Sequence, residues 1–157
     1  MTEELAKLIN RSILYRGEIL HECIILEKDI DLSVVMHFTQ SPSHFNDMHE
    51  LIMDRMTFDQ KIGIIQELLN RRSLDSLMVK RKEKLIKELR YVKEVRNKFA
   101  HRPMFVGYQE DEKIPKEFKM ITYRDGINHI PFTKNDFELC IKRIKKCVEV
   151  LEGFFRL

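Results

Sequence analysis

The run Lys93-Glu94-Val95-Arg96-Asn97-Lys98-Phe99-Ala100-His101-Arg102 sets side chains of complementary chemistry at short spacing. Histidine has an unperturbed pKa of about 6.5, so His101 is the residue type that takes or gives a proton near neutral pH. Arginine stays charged, and Arg96 has several N–H donors with which to hold an anion. Asn97 both donates and accepts hydrogen bonds. On a helix, Arg96 falls four residues after Val92 and three before Phe99, in line with an apolar stripe. Asn97 and His101 are four apart and continue a polar line from Lys93. A guanidinium on an apolar stripe must reach out to water or face a group that compensates it. A structural role stays open, because a His is favoured at a helix C-terminus by the dipole and an Arg can pair with a carboxylate of another helix. Five residues of ideal helix put Arg96 and His101 about 140° apart and roughly 7.5 Å along the axis. One straight helix does not aim both at one anion. Either the helix unwinds before Pro103, or two subunits bring their motifs together.

The elements around this run are mainly helical. A first helix is expected from Glu3 to about Asp29, capped by Thr2, with Leu5, Leu8, Ser12, Tyr15, Ile19, Cys23, Leu26 and Ile30 at steps of three and four. Ile9, Ile13, Leu20 and Ile24 widen that stripe, which predicts burial over a broad face. Leu32 to Phe38 either extends the helix or forms a short one of its own. After Ser41-Pro42-Ser43, Ser43 is expected to cap a helix carrying Phe45, Met48, Ile52 and Met56. Thr57 and Gln60 read as a capping box for a helix that buries Phe58, Ile62, Ile65 and Leu69. The motif lies at the end of a basic helix, from about Leu74 to Ala100, whose stripe is Leu85, Leu89, Val92 and Phe99; Pro103 stops it. Asp125-Gly126 between Phe118–Arg124 and Ile127–Phe132 predicts a hairpin. Thr133, with Asp136 three residues on, caps a last helix burying Phe137, Cys140, Ile144, Cys147, Leu151 and Phe154. The expected fold is an up-and-down helical bundle, one domain over residues 1–157, with one β-hairpin inserted before the last helix.

Arg96, Asn97 and His101 near the end of a late helix resemble the signature of the HEPN superfamily: Arg, a polar residue, then His four to six positions after the Arg. The arrangement of a long first helix, short helices, a motif helix and a long final helix is similar as well. What the resemblance implies is a metal-independent endoribonuclease of toxin or defence-effector type, acting as a homodimer with the motifs at or near the interface. In that chemistry the RNA 2′-hydroxyl attacks the adjacent phosphorus. His101 would serve as acid or base, and Arg96 would stabilise the phosphate. Asn97, Lys93 and Arg102 would bind substrate, and neither a metal nor another cofactor is expected. The resemblance also admits an antitoxin-like protein partner, or a non-catalytic RNA- or nucleotide-binding or regulatory module. One branch of the family carries a Tyr two residues after the His for modification by a partner nucleotidyltransferase. Here that position is Pro103, and the next tyrosine is Tyr108.

Composition agrees with an RNA partner without proving one. The net charge of +3 is unevenly spread, since Arg71 to Arg102 hold twelve Lys/Arg against four Asp/Glu. Such a localised basic stripe suits a phosphate backbone, although a solvated helix face has the same appearance. With 43% apolar and 34% charged residues, the chain is neither membrane-embedded nor disordered. The opening Thr2-Glu3-Glu4 lacks the basic region of a secretory signal. Cys23, Cys140 and Cys147 form no framework, so a cytoplasmic location with buried free thiols is expected. His44, Asp47, His49, Glu50 and Asp54 are metal-ligand types, but His44 and His49 are five apart and fall on different faces of a helix. No phosphate-binding Gly loop is present.

Overall fold

The computed structural model describes residues 3–106, 118–122 and 128–155. Five helices account for most of it: α1 (Glu3–Phe38), α2 (Pro42–Leu51), α3 (Phe58–Asn70), α4 (Ser76–His101) and α5 (Lys134–Phe155). Three short strands, β1 (Met104–Val106), β2 (Phe118–Thr122) and β3 (Asn128–Phe132), lie between α4 and α5. The fold is thus mainly α with a hairpin before the last helix.

α1 is continuous through Phe38, so the Leu32–Phe38 stretch extends it. It lies against α5, α4, α3 and α2, and its inner face buries Ser12, Ile19, Cys23, Leu26 and Ile30. The expected broad burial is only half realised. Ile13 and Ile24 are 62% and 55% exposed, because the other helices all pack on the opposite side. The proposed Thr2 cap lies outside the described residues. α2 begins one residue before Ser43, with Pro42 at the first helical position and Ser41 as its cap residue. Proline's fixed φ suits that position and its missing N–H has no intrahelical partner to lose. The chain then tightens into a short 3-10 turn, Met53–Arg55, which turns Met53 inward and leaves Ile52 exposed.

The capping boxes form as the sequence predicts. Gln60 N–H donates to Thr57 Oγ1, and Thr57 N–H donates to Gln60 Oε1 at 2.8 Å. At α5, Thr133 N–H donates to Asp136 Oδ2 at 2.8 Å and Asp136 N–H returns the bond to Thr133 Oγ1. The Thr133 N–H and hydroxyl, both donating to the carboxylate, hold Asp136 below the usual carboxylate range. All six expected inward residues of α5 are buried. Cys23, Cys140 and Cys147 are free and buried, and burial pushes the Cys23 and Cys147 thiols up to about 12.

β2 and β3 pair antiparallel from Phe118↔Phe132 to Thr122↔Asn128; the Asp125-Gly126 turn itself lies outside the described residues. β1 adds a third strand that the sequence reading did not include, pairing Met104↔Met120 to Val106↔Phe118. Pro103 ends α4 and the β-prone Met-Phe-Val run follows directly. Pro131 sits on β3, at the sheet edge, where its missing donor interrupts no ladder. The sheet presses Phe118 and Phe132 onto Phe137 of α5, at ring separations of 5.5 and 5.3 Å.

Away from the sheet, α1 and α3 share a buried ion pair. Lys61 Nζ lies 2.8 and 2.9 Å from the two Asp31 oxygens and 3.0 Å from Glu27 Oε1. Lys61 and Asp31 are 3% and 0% exposed. Burial raises the Asp31 carboxyl above its ordinary range, while Lys61 works to lower it. Breaking a buried pair from one side leaves an uncompensated charge. Lys61→Met should therefore destabilise the fold by about 3–5 kcal/mol in urea unfolding, and Lys61→Met/Asp31→Leu should recover most of that loss. In the single variant Asp31 binds its proton more tightly folded than unfolded, so stability should rise on acidification and fall as pH increases. A single variant as stable as the wild type would show the pair to be structurally idle.

Candidate active site

The motif occupies the last turns of α4, and the sequence explains why that end is fixed. Phe99, fully buried, is its anchor: its ring lies 5.4 Å from Phe132 and 5.6 Å from Phe137. The helix stays regular through His101, with Arg102 N–H donating to the Lys98 carbonyl at 3.0 Å. Arg102 then turns extended (φ −103°, ψ 137°) into Pro103. From α1, the Arg16 guanidinium donates to the Ala100 carbonyl at 3.0 Å. That bond satisfies one of the carbonyls a helix leaves open at its end and places positive charge at the negative end of the dipole. Sequence reasoning missed Arg16, since eighty-four residues separate it from Ala100.

The regular helix removes one of the two ways to bring Arg96 and His101 together, because α4 does not unwind before Pro103. Asn97 and His101 are exposed, whereas Arg96 is half-buried. Arg96 faces the α1 side of the bundle, and its charge is the largest influence opposing the burial-driven rise of the Cys23 pKa. Among the described residues no carboxylate forms an ion pair with Arg96. Lys93 stands differently. Its Nζ lies 2.8 Å from Asp59 Oδ1 on α3, which holds the Asp59 carboxyl below its usual range and raises Lys93. Arg102 is half-buried at the cap. The chain thus aligns Lys93, Asn97 and His101 along one side of α4 and sets Arg96 on another.

The basic segment is not one free face either. Arg90 bonds to Gln66 at 2.9 Å, Lys82 to Asn70 at 3.0 Å, and Arg72 to the Phe154 carbonyl beneath the Phe155 ring. These contacts join α4 to α3, and the α3–α4 turn to the end of α5. Of the metal-ligand types noted in the sequence, the structure gathers His49 and Asp54, with Asp31 as a third. Lys28 Nζ already lies 3.1 Å from Asp54, and Lys61 neutralises Asp31. A cation there would have to displace bound ammonium groups. No helix among the described residues is long and apolar enough to cross a membrane.

No family model matches the sequence, and no curated protein or solved structure matches the chain.

Arg16→Ala should loosen the motif end specifically. A hydrogen bond from a charged donor contributes about 1.5–3 kcal/mol when partly shielded, so protection of the Phe99–Arg102 amides against hydrogen exchange should drop while the α3 amides keep theirs. Equal loss in both helices would mean that Arg16 acts on global stability rather than on the site.

Proposed function

We propose that this chain is a metal-independent endoribonuclease of the HEPN type, working as a homodimer in which two α4 ends complete each other. The observation that carries the reading is a half-buried Arg96 without a described carboxylate partner, one residue before exposed Asn97 and five before exposed His101, on a helix that stays intact. An arginine placed so is available for an external anion, and the imidazole beyond it is free to move protons. Since one straight helix points the two about 140° apart, a second copy supplies the missing partner.

The outer face of α1 supports a two-fold arrangement. Ile13, Leu14, Gly17, His21, Ile24 and Ile25 are all exposed and mirror one another about position 19, so an antiparallel second copy meets the same stripe. A Cβ added at Gly17 would meet nothing within 4 Å in the single chain, which leaves room for close approach. Arg16, bonded to the motif end, neighbours this stripe in the chain.

In the proposed reaction one His101 takes the proton of the RNA 2′-hydroxyl, whose oxygen bonds to the adjacent phosphorus. The bond from phosphorus to the 5′-oxygen breaks, and the partner's His101 protonates the leaving oxygen. Arg96 holds the charge that develops on the phosphoryl oxygens. The products carry a 2′,3′-cyclic phosphate and a 5′-hydroxyl.

Arg96→Ala and His101→Ala should each lower cleavage of single-stranded RNA in EDTA, by about 10²–10⁴-fold for the histidine, with little change in melting temperature. Asn97→Ala should give a partial loss, and DNA should remain uncut. Adding excess His101→Ala chains to the wild type should depress activity more than dilution alone, because a mixed dimer keeps only one of the two His101 side chains that the reaction uses. Undiminished cleavage by His101→Ala, or products ending in 5′-phosphate, would overturn the mechanism. RNA binding without cleavage would assign the site to recognition. Affinity should also fall steeply with added salt, since each neutralised phosphate releases counterions.

A further inference from the structure

α4 and α5 run side by side, and their outer surface forms an open groove of about 460 Å³ away from the motif. Its floor is aliphatic: Leu85, Cys147, Val150 and Leu139, the last 54% exposed. Its rim is cationic. Arg81 and Lys84 stand on α4, with Lys142, Arg143 and Lys146 on α5. Arg143 is held by Glu88 at 2.7 Å and lies over the Tyr91 ring, and Lys146 pairs with Glu149. Among the described residues no carboxylate forms an ion pair with Arg81, Lys84 or Lys142.

We propose that this groove docks an acidic amphipathic helix of a partner protein, with the helix's apolar side on the aliphatic floor and its carboxylates against Arg81, Lys84 and Lys142. The dimensions fit. Arg81 to Glu88 spans roughly 10 Å of α4, and Leu139 to Val150 roughly 16 Å of α5, which is two to three helical turns. Two parallel ridges with an apolar furrow receive a third helix through i, i+3, i+4 anchors. The chemistry discriminates among occupants. Single-stranded RNA needs aromatic platforms for its bases, and the floor has none. A second copy presenting the same groove would set like charges against each other. The inference is independent of whether the motif cuts RNA.

The test uses the whole protein and a fluorescein-labelled model peptide of repeated Leu-Glu-Glu-Leu-Leu-Glu-Glu. The comparison peptides are a scrambled version that separates no faces and a version with Lys for Glu. The acidic amphipath should bind, the other two should not, and amide shifts should change along the two groove-facing helix sides. Leu139→Asp, and separately Lys84→Glu with Lys142→Glu, alter exposed positions and should each weaken binding by roughly tenfold or more. Circular dichroism should stay unchanged in both. Arg96→Ala and His101→Ala should bind the peptide normally, which separates this site from the motif. Equal binding of the scrambled peptide, full affinity in the groove variants, or shifts elsewhere would overturn the proposal. Displacement of the peptide by poly(U) would make the groove an RNA site, and displacement by phosphatidylglycerol vesicles a lipid-binding face; either result also overturns it.

Discussion

The ring of Phe137 stacks on Tyr15 at 4.6 Å and meets Phe132, Phe118 and Phe99 at 5.3, 5.5 and 5.6 Å. One residue of the last helix therefore touches the first helix, both hairpin strands and the motif helix. Such pairs contribute beyond simple burial, because ring quadrupoles favour these tilted and offset geometries. The position of Arg96, Asn97 and His101 depends on this cluster, since Phe99 inserts into it from the middle of the motif. The hairpin has a structural purpose in that light. It carries Phe118 and Phe132 back over the end of α4, just after Pro103 has stopped the helix.

Charge does at the other end of the bundle what aromatic packing does here. The Lys61–Asp31 pair, with Glu27 beside it, sets α3 against α1 inside the apolar core. Such a pair adds little net stability, but it strongly penalises an arrangement that separates its members. Several cations of the basic segment are also engaged, with Lys93 on Asp59, Arg90 on Gln66 and Lys82 on Asn70. Cations without a described carboxylate partner include Arg96 near the α4 end and Arg81, Lys84 and Lys142 at the outer α4–α5 groove.

Two features of the single chain motivate the proposed dimer. α4 stays helical past both motif residues, and a helix separates Arg96 from His101 in angle. α1 keeps an apolar stripe in solvent, although its opposite face is fully covered. The second copy proposed above would account for both at once. The Arg16 bond to the Ala100 carbonyl links the two features within the chain, because the helix that bears the stripe also holds the motif end in place.

The sequence by itself determined what local forces decide. Helical periodicity identified the buried residues of α5 and the main apolar stripes of α3 and α4, though not Lys61, Leu68, Ile86 and Val95 beside them, and the Thr57–Gln60 and Thr133–Asp136 boxes located two helix starts. The β-rich runs placed β2 and β3, and the spacing of Arg96 and His101 put them on different faces. Tertiary structure decided the rest. Periodicity finds apolar faces but not what covers them, so Ile13 and Ile24 were expected inside and lie outside. Prolines and serines at a helix start are too close in preference to separate Ser41-Pro42 from Ser43, and backbone packing made the choice. The partners of Arg16, Lys61 and Lys93 lie 84, 30 and 34 residues away. No local pattern encodes such pairings, because which charges meet depends on how the helices stack, and that is set by apolar burial over the whole chain.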